Sequence, residues 1–373
     1  MSEYQYYEFR TLARMLTREE MAELRKVSSR GLISPTSFVN EYEWGDFKGD
    51  PDEWMDRYFD AFLYYANWGQ KTFKLKIPRS LVSAEAISQY QNPGGLTGRT
   101  RNDSTIITFD LAPDDPPDEW EENEGAMGYL IGLRAEIAQG DHRCLYLGWL
   151  IGRGTGDVVA GSILHKLEPP VPRGLQELTA SQQALVDFFE IDLDLLSAAA
   201  EASPAIVQPD RESRDLQAWI AKIEDSAKAE YLLRVINGAG VDVALELNAR
   251  FIREIGLSDL TSEPPRRTVV QLHQLAMNIR EARITWENER REATKKRKLD
   301  DLLARLPAVW AEIEDHSDTK KTNHYNLAVE LLLDVRELAR RGDVPDFTQR
   351  IADFRVRHST KRALLDRMKN ARL

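Results

Sequence analysis

Leu167-Glu-Pro-Pro-Val-Pro-Arg-Gly174 is the stretch at which this chain changes character. Pro169, Pro170 and Pro172 each remove a backbone N–H donor and fix φ, so the run continues neither a helix nor a central strand and reads as a linker. Before it the chain is rich in aromatics and mixes strand and helix patterns. After it come charged, Pro-punctuated segments with an almost wholly helical period. The expected fold class is therefore α+β: an N-terminal mixed-sheet α/β domain followed by a mostly α-helical C-terminal half. Ser262-Glu-Pro-Pro-Arg-Arg267 reads as a second linker. The expected domains are residues 1–166, an α+β domain; 175–261, a helical domain; and 268–373, a long charged helix with a small helical bundle.

Working outward toward the N-terminus, Tyr4 to Arg10 alternates and reads as a strand. Thr17-Arg-Glu-Glu20 is a capping box, with Leu16 and Met21 at the flanking apolar positions. Ser37 to Tyr42 is a second strand. Asp50-Pro-Asp-Glu53 opens a helix with an Asp cap and Pro in the first turn. Trp54, Met55, Tyr58, Phe59, Phe62, Leu63, Tyr65 and Ala66 follow at helical spacing, and Gly69 fits the left-handed residue after a helix. Phe73, Leu75 and Ile77 alternate with lysines as a strand, and Ile107, Phe109 and Leu111 mark another. Asp114 to Glu124 is an acidic loop, expected to be mobile. Tyr129 to Leu150 reads as two apolar helices broken at Gly140-Asp141, with Asp141 capping the second.

On the C-terminal side, helices are expected at Ser181 to Phe189, Asp192 to Ala202, Leu216 to Asn237 and Val241 to Ile255, the last two separated by Gly238-Ala-Gly240. One long charged helix should run from Val269 to about Leu306, where Pro307 ends or kinks it. Tyr325 to Arg341, Asp346 to His358 and Lys361 to Ala371 complete a bundle.

Composition limits the classes of function. The chain has 373 residues, 42% hydrophobic and 30% charged, enough to bury a core and stay dissolved. No apolar run approaches the roughly 18–20 residues that span a bilayer, so no membrane association is expected. Met1-Ser-Glu-Tyr-Gln-Tyr-Tyr has no basic segment followed by an apolar one, so no signal peptide is expected and the cytoplasm is the predicted location. Cys144 is the single cysteine, which excludes an internal disulfide and a multi-cysteine zinc site. The net charge of −11 is unevenly placed: Met1 to Arg280 carries 29 Lys+Arg against 44 Asp+Glu, and Glu281 to Leu373 carries 21 against 17. The first part repels a phosphate backbone and the second attracts it weakly, which argues against non-specific coating of DNA.

Candidate site residues fall in three places. Pro35 to Trp54 packs aromatics, carboxylates, a lysine and two glycines around one turn, and Trp44, Asp46 and Lys48 are its candidates for a ligand or partner. Its acids, Glu41, Glu43, Asp46, Asp50, Asp52 and Glu53, lack the alternation of a calcium loop and are read as caps and solvated charge rather than as a metal site. Arg134, Asp141 and Arg143, with Glu136, cluster at the break between two apolar helices. They suit a ligand clamp or partner surface, and more simply a set of buried ion pairs. Arg290-Arg-Glu-Ala-Thr-Lys-Lys-Arg-Lys298 is the one dense basic tract, so Arg290, Arg291, Lys295, Lys296, Arg297 and Lys298 are the candidates for nucleic acid. Flanking Glu287, Glu289, Glu292, Asp300 and Asp301 offer a simpler account as a solvated helix laced with ion pairs.

Other motifs carry less. Pro93-Gly-Gly-Leu-Thr-Gly-Arg99 lacks the Lys-Ser/Thr ending of a P-loop, and Gly152-Arg-Gly-Thr-Gly156 lacks the dinucleotide spacing, so both read as turns. The six histidines form no close ligand pair in sequence. Cys144 sits on an apolar helical face and reads as a buried, inert thiol. No catalytic residue, metal or cofactor is expected.

Tyr4-Gln-Tyr-Tyr-Glu-Phe9, Leu16-Thr-Arg-Glu-Glu20, Pro35-Thr-Ser-Phe-Val-Asn40, Gly45-Asp-Phe-Lys-Gly-Asp50, Ala66-Asn-Trp-Gly69, Leu133-Arg-Ala-Glu136 and Gly140 to Leu150 together resemble a family of uncharacterised bacterial proteins, over most of the chain. The resemblance implies a bacterial setting and no activity. Thr322 to Leu332 and Arg355 to Leu365 are separately similar to the helical tails of bacterial SWIM-type zinc-finger proteins, without the cysteines of the finger itself.

These readings favour a non-enzymatic interaction or assembly component of a bacterial cytoplasmic multi-protein system, with a protein partner or self-association. Membership of a defence or stress system is an expectation that no residue carries. The alternatives are a nucleic-acid-associated protein using the basic C-terminal helices, and an enzyme with a site where the N-terminal domain meets the helices.

Overall fold

The computed structural model describes residues 3–115, 117, 123, 125–153, 166–205, 213–254, 267–319 and 321–373. The chain forms two compact units, Met1–Arg280 and Glu281–Leu373. The fold class is the expected one: a sheet-containing N-terminal region followed by a mostly helical second half.

The first unit opens with β1 (Gln5–Arg10), α1 (Arg18–Val27), β2 (Leu32–Ser34), β3 (Ser37–Tyr42) and α2 (Pro51–Arg57). Then come β4 (Ala61–Ala66), β5 (Lys71–Pro78), α3 (Ala84–Ser88), β6 (Leu96–Arg101) and β7 (Ser104–Leu111). The strands make one seven-stranded sheet in the order β2-β3-β1-β4-β5-β7-β6. Every pairing is antiparallel, so the sheet is more uniform than a mixed one.

The local signals act as their chemistry dictates. Thr17 and Glu20 form both halves of the capping box, at 3.2 and 2.8 Å. Asp50 accepts from the N–H groups of Asp52 and Glu53 at the start of α2. One expectation is corrected: the helix opened at Asp50 stops at Arg57, and Ala61-Phe-Leu-Tyr-Tyr-Ala66 is a strand. All six of its residues are buried, because β4 lies between β1 and β5 with packing on both faces. A continuous apolar run of that kind shows no period of two, and only its aromatic content favours a strand. Gly69 does take a positive φ of 90°, but in the turn joining β4 to β5. β2 and β6 were not foreseen; β6 begins inside the glycine-rich stretch read as a turn.

One face of the sheet carries Leu63, Tyr65, Phe73, Leu75, Ile107 and Phe109. It is buried under α4 (Ala126–Leu130), α5 (Leu133–Ala138), α6 (Arg143–Leu150), α7 (Ala180–Phe188) and α8 (Leu193–Ala200). Helix α6 comes so close to the strands that a Cβ on Gly148 would stand 2.8 Å from the Phe109 ring. The proline run is packed into the same core: Val171 and Leu175 are buried there, and the Tyr90 hydroxyl donates to the Pro170 carbonyl at 3.0 Å.

The other face carries Tyr7, Phe9, Phe38, Phe62 and Tyr64. Helices α1 and α2 cover one end of it. There Phe9 meets Phe62 at 4.5 Å between ring centroids, and Phe47 meets Trp54 edge-on at 4.8 Å. Past that aromatic cluster, the strip around Gln5, Tyr7, Tyr64 and Thr72 borders a cavity.

The helical part of this unit continues as α9 (Ser213–Lys222), α10 (Asp225–Arg234) and α11 (Gly240–Glu254). The single helix expected over Leu216 to Asn237 is thus broken near Ile223, and Gly238, at φ 90°, separates α10 from α11. Trp219, Ile223 and Phe251 form a small cluster of their own. The acidic loop from Asp114 to Glu124 falls mostly outside the described residues, as does all but Arg267 of the second linker.

The boundary between units falls within α12 (Val269–Ala304). The second unit adds α13 (Leu306–Asp318), α14 (Thr322–Arg340), α15 (Phe347–Arg357) and α16 (Arg362–Asn370). Pro307 lies in the first turn of α13, where its missing N–H costs nothing. Leu302, Val309, Ile313, Leu332, Leu338, Phe354 and Leu364 close a separate core. Among the described residues no helix is long and apolar enough to cross a membrane.

Candidate functional site

The cavity on the second sheet face measures about 730 Å³. Its floor comes from alternate residues of three central strands: Gln5 and Tyr7 of β1, Phe62 and Tyr64 of β4, Thr72 and Lys74 of β5. Gly45 and Asp46 line it from the turn before α2, Pro51 from the first residue of α2, and Trp68 and Gln70 from the β4–β5 hairpin. The alternation of a strand aims every second side chain into the space, while the intervening ones anchor the main core.

The floor is held by a polar network. The Tyr7 hydroxyl lies 2.9 Å from Gln5 Oε1 and 3.0 Å from Asp46 Oδ1, and its one proton serves either acceptor. Tyr64 donates to the same Gln5 oxygen at 3.3 Å. Gln5 Nε2 donates to the Gly45 carbonyl at 3.1 Å, which fixes the amide orientation. Burial, then the neighbouring phenol and Asp46, push the Tyr7 phenol well above its ordinary pKa; burial and Asp46 do the same for Tyr64. Both stay protonated hydrogen-bonding groups near neutral pH and are not available as phenolate bases.

Of the three candidates from the turn before α2, Trp44, Asp46 and Lys48, Asp46 lines this cavity. Trp44 is 76% exposed, and Lys48 is exposed on the same turn. Three other acids of the turn have structural partners: Asp50 caps α2, Asp52 takes Lys74 Nζ at 2.6 Å, and Glu53 pairs with Arg57 at 3.0 Å. Among the described residues no group of three or more His, Cys, Asp or Glu is placed to hold a metal ion.

Arg134, Asp141 and Arg143 are committed to the interior. Arg143 is 7% exposed; it grips Asp141 with Nε and an Nη at 3.0 and 2.6 Å and donates to the Gly174 and Glu177 carbonyls. Gln182 bridges Asp141 and Glu136, and Thr179 also donates to Glu136. Burial pushes the Glu136 carboxyl up. Arg134 goes elsewhere, to the Lys76 carbonyl at 3.0 Å and Asp242 at 2.7 Å. The cluster thus ties α5 and α6 to the end of the proline run, the start of α7, β5 and α11. A second buried network, unforeseen in the sequence, joins Tyr146, Glu168 and Arg267, with Arg267 also reaching the Ala198 and Ala199 carbonyls. Its members are 22 and 99 residues apart along the chain, beyond any local pattern.

Cys144 is fully buried, and burial drives its thiol well above the ordinary value, so it lacks thiolate character. In the second unit the basic tract borders a groove of about 540 Å³ lined by Trp286, Arg290, Arg291, Thr294, Lys295, Lys298 and acidic Glu287 and Asp334. Lys298 pairs with Asp334 at 2.6 Å and Lys295 with Glu337 at 3.1 Å, while Arg290 lies 5.3 Å from the Trp286 ring centroid. Lys296 and Arg297 are exposed away from this lining. Sequence spacing also missed two histidine contacts: His316 Nδ1 lies 3.0 Å from His324 Nδ1, and His358 lies between Glu314 and Lys361 at 2.7 and 2.9 Å.

No protein-family model, curated protein or solved structure matches the chain.

Arg143→Ala should destabilise the first unit by about 3–5 kcal/mol, because it strips Asp141 of its counter-charge and the Gly174 and Glu177 carbonyls of a guanidinium donor in a largely buried setting. Arg143→Lys should recover only part of that, since an ammonium cannot reproduce the planar fork. Urea unfolding curves for the two variants check this; a loss under about 1 kcal/mol for Arg143→Ala, the level of an exposed pair, contradicts the assignment.

Proposed function

We propose that the chain is a non-enzymatic interaction and assembly component of a bacterial cytoplasmic multi-protein system. The observation that carries this reading is the tip of the α10–α11 hairpin. Leu232, Leu233, Val235, Ile236 and Val241 are 63, 60, 45, 79 and 48% exposed there. The residues lie on either side of the Gly238 break, so two helix ends present one run of aliphatic side chains. Isolated exposed leucines are ordinary, but five aliphatics within ten residues form a patch that water penalises until another surface covers it. The small cluster of Trp219, Ile223 and Phe251 secures the helices behind the tip without enclosing it.

The double variant Leu233→Asp, Ile236→Asp should abolish association while leaving the melting temperature nearly unchanged, since neither side chain is part of a core. Light scattering after gel filtration reads self-association, and capture from the native host followed by mass spectrometry reads a partner. Wild-type association should survive a rise from about 50 to 500 mM salt, because apolar contact is not screened. A wild-type chain that neither self-associates nor retains a partner, or a double variant that associates normally, contradicts the reading.

A second reading has an observation of its own in the groove beside the basic tract. There Arg290, Arg291, Lys295 and Lys298 gather around Trp286, which is 57% exposed, a pairing of cations with an aromatic face suited to single-stranded nucleic acid. The acidic partners of Lys295 and Lys298 weaken its field. Binding to a single-stranded oligonucleotide weaker than about 1 μM at physiological salt is expected. Tighter, steeply salt-dependent binding that is lost when Lys295, Lys296, Arg297 and Lys298 are changed to Glu would promote this reading over assembly.

A further inference from the structure

The cavity on the sheet face has a lining that the hairpin surface does not use. Four aromatic side chains, Tyr7, Phe62, Tyr64 and Trp68, share it with the carboxylates Glu3 and Asp46. The cation among its described lining residues is Lys74, whose Nζ is 2.6 Å from Asp52 and 5.8 Å from the Phe62 ring centroid. Its charge is thus engaged within the fold. Asp46 meets both Tyr7 and the Phe47 N–H through Oδ1, so Oδ2 makes no hydrogen bond among the described residues. Glu3 is exposed at the rim. Around this space lies a unit with 44 Asp+Glu against 29 Lys+Arg, whose field concentrates cations.

We infer that this cavity binds an organic cation, an ammonium or guanidinium group on a short stem, with the charge held by Glu3 and Asp46 and the stem against the aromatic rings. Three considerations select that chemistry. Aromatic faces attract cations and stack on planar or methylene stems. An anion would meet two carboxylates and a lysine already neutralised. A hard metal ion needs a convergent set of oxygen ligands, and no such group is present among the described residues. The volume of about 730 Å³ suits a small molecule or the end of a side chain. The polar floor of Gln5, Tyr7 and Tyr64 is already hydrogen-bonded, which holds the rings in place before a ligand arrives. This inference stands apart from the hairpin reading: either can fail without the other.

Titration calorimetry on the full chain tests it, with spermidine, arginine amide and the capped tripeptide Gly-Arg-Gly as probes and glutamate as the anionic control. At least one cationic probe should bind saturably, with Kd between about 10 μM and 1 mM, and glutamate should not. Tighter binding of a free amine identifies a small molecule as the ligand, and tighter binding of the tripeptide identifies a basic side chain of a partner. Asp46→Asn should weaken the bound probe by roughly tenfold and Glu3→Gln by roughly threefold, with weaker binding at higher salt. Glu3 is exposed, so its variant keeps the test sound if Asp46→Asn disturbs the turn, which thermal unfolding reports. Absence of saturable binding by all three cations, equal binding of glutamate, or unchanged affinity in both variants overturns the inference.

Discussion

A seven-stranded antiparallel sheet has two faces to dispose of, and the rest of the first unit follows from how each is covered. One face is apolar along β4, β5 and β7 and must be closed to water over its whole width. Five helices do this, and they come from both sides of the proline run at 167–174. The proline run therefore joins two sets of helices on the same sheet face, and the Arg143 guanidinium, bonded to Asp141 and to the carbonyls at Gly174 and Glu177, ties α6 to the segment that leads into α7. A charge so deep costs free energy unless its donors are satisfied, so removing any of its partners is costly.

The second face is closed at one end by the aromatic cluster around Phe9 and Trp54 and left concave at the other. The floor of that open part is polar as well as aromatic: Gln5, Thr72, Lys74 and the hydroxyls of Tyr7 and Tyr64. The division follows from the spacing of the strands. Residues two apart share a face, so a strand such as β1 can send Phe9 into the apolar cluster and Gln5 into the cavity without changing its backbone. The cavity is thus a consequence of how far α1 and α2 extend over the sheet.

Much of this was legible in the sequence where the signal is local. The caps at Thr17 and Asp50, the strands β1, β3, β5 and β7, the breaks at Gly140 and Gly238 and the helices of the second unit follow from residues within a turn or two of each other. Ala61-Phe-Leu-Tyr-Tyr-Ala66 was misread as helix because a strand buried on both faces has no alternation to show. The site was legible only in part. Asp46 was singled out from its crowded turn, but Tyr7, Tyr64 and Trp68 are brought beside it by strand pairing over tens of residues. Arg134, Asp141 and Arg143 offered a ligand clamp or, more simply, buried ion pairs, and the carbonyl and carboxylate partners that distinguish the two lie partly on other elements, out of reach of local spacing.

The first unit has one main core that continues through the proline run, and native-state hydrogen exchange followed by mass spectrometry tests that continuity most directly. Peptides from β4, β5 and β7 and from α6, α7 and α8 should lose their slowest protection together as denaturant rises, in a single opening with one slope. Protection of α7 and α8 lost at clearly lower denaturant than that of the sheet would show that the helices beyond the prolines fold as a separate body, and would contradict it.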